Sequence, residues 1–119
     1  MLSSKYRLKK KINFARIEID GKMIQSKSFG MGIYDRKDEE NSHFGFIIST
    51  KISKSAVVRN RIKRIISEVI RKNLEKIKKG LDVLFLIKPS IIKLEKGDVE
   101  KETYEIIIKN IQTNPLPNS

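Results

Sequence analysis

The chain has no cysteine and no tryptophan in 119 residues, only one histidine and three prolines, and just 7% aromatic residues. Without cysteine there is no disulfide framework, no thiolate metal site and no cysteine nucleophile. A lone His43 cannot supply a metal-ligand cluster or both halves of an acid–base pair. No apolar run approaches the roughly 20 residues that span a bilayer. The start, Met1-Leu2-Ser3-Ser4-Lys5, lacks the apolar stretch of a secretory signal. Both absences point to a cytoplasmic protein without membrane contact. Negative charge is scarce too: 14 acidic residues face 26 Lys and Arg, giving a formal charge of +12 and a pI of about 10.0. A polyanionic partner is the physical expectation for such a balance.

The positive charge is placed rather than spread. Residues 1–16 carry six basic groups (Lys5, Arg7, Lys9, Lys10, Lys11, Arg16) and no acidic one. Residues 51–79 carry eleven basic and two acidic groups, which leaves the remaining chain net −3. Hydrophobic residues make up 39%, enough for one domain spanning 1–119 to bury a core. Residues 1–8 read as a loose basic segment, from which Tyr6 and Leu8 can pack down, and 112–119 as a flexible tail.

The strongest periodic signal starts after Lys54. Val58, Ile62, Ile65 and Val69 repeat at helical spacing, with Ile66 and Ile70 widening the stripe and Leu74 and Ile77 extending it towards a stop at Lys79-Gly80. Asn60, Arg64, Ser67 and Arg71 fall on the opposite side, and Ser53 or Ser55 can cap the start. Arg59, Arg61, Lys63 and Arg64 stand within six residues, where like charges at helical spacing repel. Arg offers a planar fork to two phosphate oxygens, and Asn60 can both donate and accept beside a sugar or base. A phosphate polymer resolves the repulsion.

The other elements follow in order. A short helix is expected from about Lys10, its partial apolar face made by Ile12, Ala15 and Ile17, with Phe14 either a core residue or a stacking surface for a base. Asp20-Gly21 is a turn. Residues 22–28 and 29–34 read as strands, the second weakened by Gly30 and Gly32 or marked by them as a close backbone approach. An acidic loop, 35–43, precedes the clearest strand, 44–50. The apolar run 82–88 reads as a central strand ended by Pro89, and 90–97 as a loop. A last helix, 98–111, shows Tyr104, Ile107, Ile108 and Ile111 as its stripe. The order helix, three strands, helix, strand, helix gives an α+β sandwich, a sheet of about four strands with helices packed against it.

No pair of carboxylates stands at ligand spacing. Asp35, Asp38, Glu39 and Glu40 crowd one loop and read as solvated, although a stand-alone metal-dependent nuclease would have to use them. The residues therefore describe a nucleic-acid-binding domain without its own active site. The strong strands exclude a homeodomain despite Arg59-Asn60-Arg61, and RNA suits the sheet-and-helix layout better than DNA.

Phe44-Gly45 through Lys51, followed by Ala56-Val57-Val58-Arg59-Asn60-Arg61-Ile62-Lys63-Arg64, resembles the signature of the bacterial ribonuclease P protein component. Arg7-Leu8-Lys9-Lys10 with Phe14, and Asp82 through Pro89, resemble its flanking stretches, so the likeness covers roughly 5–111. It implies an α-β-β-β-α-β-α fold like a ribosomal-protein domain, with a left-handed βαβ crossover. It implies a subunit that assists removal of the 5′ leader from precursor tRNA, while the RNA subunit with Mg²⁺ is the catalyst. By the resemblance Lys51, Lys54, Arg59, Asn60, Arg61, Lys63 and Arg64 face the catalytic RNA. Phe14 and Phe46, with Arg7, Lys9 and Lys10, face the leader. No catalytic or metal-binding residue of its own and no protein partner are expected. Glu18 and Gly30-Met31-Gly32 stand where the family often has further aromatics, and Thr50 and Ser53 replace a usual Lys and Gly. The rival is a ribosome-associated or structured-RNA-binding protein with no part in tRNA maturation.

Overall fold

The computed structural model describes residues 2–113. Seven elements follow one another: α1 (Lys11–Asp20), β1 (Lys22–Gln25), β2 (Phe29–Asp35), β3 (His43–Ile47), α2 (Ala56–Lys72), β4 (Leu81–Ile87) and α3 (Lys96–Asn110). They form one four-stranded sheet in the order β1-β2-β4-β3. β4 is central, as its unbroken apolar sequence requires. It runs antiparallel to β2 (Met31 opposite Phe85) and parallel to β3 (Phe44 opposite Val83).

Alternation along the strands divides the sheet into two faces. Phe29 and Met31, Phe44 and Phe46, and Val83, Phe85 and Ile87 meet the stripes of α2 and α3 in the main core. Leu84 and Leu86 point the other way, towards Ile17 and Phe14 of α1 and towards Leu8. Gly32 lies on that second face: a Cβ built there would stand 2.7 Å from Ile17 Cγ2. The glycine thus permits the close approach of α1, and an aromatic at this position would displace the helix.

Several expectations change in detail. The first helix does not use Ile12 and Ala15 as its inner face; Ile12 and Ala15 are exposed, and Ile17 is buried with Phe14 beside it. α2 ends at Lys72, not near Lys79. The side-chain amide of Asn73 donates to the Val69 carbonyl at 2.7 Å and its backbone N–H to Ile70 O, so the last carbonyls are satisfied early. Leu74 and Ile77 still reach the core, carried there by a short 3₁₀ turn, while Gly80 (φ +82°) lies in the bend into β4. The strands expected at 22–28 and 44–50 close at Gln25 and Ile47, and Pro89–Lys93 forms a 3₁₀ turn instead of an open loop. In α3 the buried side is Val99, Thr103, Ile106 and Ile107, and Tyr104 is turned outward beneath the Lys76 ammonium.

The N-terminal segment is docked rather than loose. Leu2 and Leu8 are buried, residues 4–6 make a 3₁₀ turn, and Leu8 N–H donates to Phe44 O at 2.9 Å on the outer edge of β3. Two apolar side chains spaced to reach the core outweigh the segment's charge, which stays in water. Gln112 bridges to Ile77 and Thr113 N–H donates to Lys76 O, and the rest of the expected tail lies outside the described residues.

Candidate nucleic-acid interface

The entry to α2 is built from short hydroxyl side chains. Ser55 Oγ accepts the Val58 N–H at 3.3 Å as the helix N-cap, and Ser53 Oγ accepts the Ser55 N–H at 3.1 Å. Arg59 then reaches back, donating through Nη1 to the Ser53 carbonyl at 2.7 Å. Ile52 anchors the loop in the core while Lys51 and Lys54 stand exposed on either side of it.

Beyond the cap, Asn60, Arg61, Arg64, Arg71 and Lys72 are exposed. Arg71 is engaged by Glu68, which holds that carboxyl below its ordinary range through a side-chain hydrogen bond. Among the described residues no carboxylate lies within ion-pair distance of Lys51, Lys54, Arg59, Arg61, Lys63 or Arg64. Ser67 departs from the expected polar face. It is 2% exposed, and with half-buried Lys63 it lines a cleft under Leu2.

That cleft crosses the β3 edge of the sheet. Arg7, Leu8 and Phe14 bound it on the α1 side and Lys63 on the α2 side. The Phe14 ring lies over Gly45, where an added Cβ would meet it at 3.1 Å. Phe14 and Phe46 both touch the cleft but belong to opposite sheet faces, since Phe46 stacks on Phe85 at 5.5 Å between centroids. Lys10 occupies the N-cap position of α1 without a side-chain bond, and Lys9 donates to Ser4 Oγ. Glu18 is exposed on α1 and fills no aromatic role.

One aromatic on the α1 face escaped the sequence reading. Tyr34 follows Gly30 and Gly32 in strand alternation, and the Arg16 guanidinium covers its ring at 4.4 Å. The alternation itself was the available signal. Arg16 continues to Asp82, whose carboxylate has no solvent exposure. Asp82 also accepts from Arg36, with His43 Nδ1 at 3.5 Å. Burial opposes the Arg36 charge, but its bonds to Asp38 and Asp82 prevail and raise its pKa above the ordinary arginine value. Asp35 is held low by Lys78 and Asp38 by Arg36. Asp35 and Asp38 of the acidic loop are thus taken up in structural ion pairs, and His43 lies against the Asp82 carboxylate. Among the described residues no group of three or more carboxylates or imidazoles is arranged to hold a metal ion. Among them too, no helix is long and apolar enough to cross a membrane.

A family model described as ribonuclease P matches residues 2–111. Relatives called ribonuclease P protein component include one from Dictyoglomus turgidum, 42% identical over 84 residues (70% of this chain, 68% of the relative). Another, from a Cyanothece species, is 28% identical over 122 residues (90% of this chain, 93% of the relative). The ribonuclease P protein of Staphylococcus aureus superposes with a TM-score of 0.79 at 25% identity, covering 87% of this chain and 93% of that one. The protein from Thermotoga maritima gives 0.77 at 22% identity, covering 87% and 96%. A mixed helix-and-sheet domain, an arginine-rich helix whose first half has no carboxylate partner and a match over nearly the whole length agree: the chain belongs to the ribonuclease P protein component family, the protein side of the endoribonuclease that matures tRNA 5′ ends.

Proposed function

We propose that this chain acts in the cytoplasm by binding the ribonuclease P RNA through the start of α2, and the 5′ leader of precursor tRNA along the cleft at the β3 edge. The observation that carries the reading is the row Arg59, Arg61, Lys63 and Arg64, four cations held on one rigid helix without acidic partners. With Asn60, and with Lys51 and Lys54 on the entry loop, they supply phosphate and sugar contacts to the catalytic RNA. Phe14 offers a partly exposed ring to a leader base, Phe46 borders the same path, and Arg7, Lys9 and Lys10 neutralise leader phosphates. Cleavage belongs to the RNA subunit, with Mg²⁺ bound mainly by RNA. This chain supplies binding and orientation, and its charge lowers the mutual repulsion of two RNA molecules.

The test is reconstitution at low Mg²⁺ with a bacterial ribonuclease P RNA and precursor tRNA. Release of the leader that needs the protein, is absent with protein alone, and is lost when Arg59, Arg61 and Arg64 become Ala supports the reading. RNA binding without gain in cleavage transfers the chain to the ribosome-associated or structured-RNA class. Cleavage by the protein free of RNA makes it a nuclease in its own right. Arg61→Ala alone should cost about 1–3 kcal/mol in RNA binding, as for a lost charge-assisted hydrogen bond.

A further inference from the structure

We infer that the groove between α2 and the first turns of α3 is a second phosphate-binding surface for the same RNA, so that α3 helps to hold it. The inference rests on the reading that the chain binds ribonuclease P RNA. The groove encloses about 500 Å³. Arg61, Arg64 and Lys72 line it from α2 and Lys96 from α3, with Glu68, Glu100 and Ile65 completing the wall. Ile65 is the one apolar side chain there, so the groove is not the predominantly apolar pocket that suits a small molecule. The lining is ionic and its balance is positive. Glu68 is already engaged by Arg71, leaving Glu100 as the carboxylate facing four cations.

Among the described residues none of these four cations has a carboxylate within ion-pair distance. Four like charges gathered around one cleft repel each other, and a chain of phosphates is the ligand chemistry that relieves all four together. Arg61 and Arg64 offer planar forks to phosphate oxygens, and Lys72 and Lys96 act as point charges further along the groove. The RNA footprint therefore wraps from α2 onto α3 instead of ending on the signature helix. Lys51, Lys54 and Arg59 do not line this groove and serve the opposite end of the footprint.

The experiment measures binding of the full chain to ribonuclease P RNA across a salt series. The double variant K72Q/K96Q is compared with K93Q/K101Q, which removes the same charge from exposed sites outside the groove. All four lysines are exposed, so thermal unfolding should match the parent in each variant. K72Q/K96Q should bind about tenfold more weakly or worse, with the slope of log K against log salt reduced by about one to two. K93Q/K101Q should stay within about twofold of the parent. Equal losses in the two variants, or no loss in K72Q/K96Q, would overturn the groove while leaving the proposed function intact. A parent chain that does not bind the RNA at all would sink both.

Discussion

Asp82 stands at the beginning of β4 with no solvent exposure and meets Arg16, Arg36 and His43. Its partners lie 66, 46 and 39 positions away in sequence, so periodicity could not reveal it. A carboxylate at the head of an apolar strand reads as solvated until the elements are assembled. Substituting Asp82→Asn keeps the shape but leaves two guanidiniums facing a neutral amide. With Arg16 about a third exposed and Arg36 mostly covered, the expected loss is about 2–3 kcal/mol by urea unfolding. An unchanged midpoint would mean that the two arginines are satisfied by water alone. Asp38 gives a pH prediction of known sign. Its folded pKa is depressed, first by the Arg36 hydrogen bond, so its contribution is present above the ordinary carboxylate pKa of about 4 and is lost as pH falls through the lower folded value. The difference in Tm between the parent and Asp38→Asn should therefore shrink as pH drops below about 4, and a constant difference would refute the linkage.

At the scale of elements, the helices report what periodicity can and cannot convey. The α2 stripe was legible because 3.6-residue spacing is a local property. Its end was not, because Asn73 closes the helix by bonding Val69 O, a choice no apolar count registers. Ser67 and Tyr104 were misplaced for a related reason: burial there depends on the docked N-terminal segment and on the phase of α3 against α2. The N-cap is testable in isolation. Ser55→Ala should cost about 1 kcal/mol of stability, read from chemical denaturation. Gly32→Ala should cost about 1–3 kcal/mol because the added methyl meets Ile17 between two packed elements. Leu2→Ala should cost about 2 kcal/mol, near the low end for a core leucine so close to a chain end. A neutral Leu2→Ala would restore the reading of residues 1–8 as a loose segment that packs down only through Tyr6 and Leu8.

Across the whole molecule, charge and fold were legible to different depths. The two basic patches and the α+β order stood in the sequence, since composition and strand-or-helix spacing need no partner. The division of Phe14 and Phe46 between two sheet faces did not, because it follows from which strands become neighbours. Both basic patches, residues 1–16 and 51–79, contribute to the cleft through Arg7 and Lys63, so the protein presents a joined positive surface rather than two separate ones. RNA affinity should accordingly fall steeply and linearly on a log–log salt plot, and a flat response would exclude phosphate-dominated binding.

The strand order carries a consequence for how the chain is made. β4 sits between β2 and β3 although it is the last strand to be synthesised, and β3 has no other strand beside it within the sheet. As the polypeptide leaves the ribosome, only the β1–β2 hairpin can pair early, and a two-stranded hairpin is marginal in water. The docked Leu8 must wait for β3, and the α2 stripe has no completed sheet to cover it until Ile87 has been translated. Most long-range contacts must then close together, a topology that folds slowly and cooperatively. A nascent chain halted before Ile87 should be cut throughout by protease, not a smaller copy of the domain but an unstructured polycation.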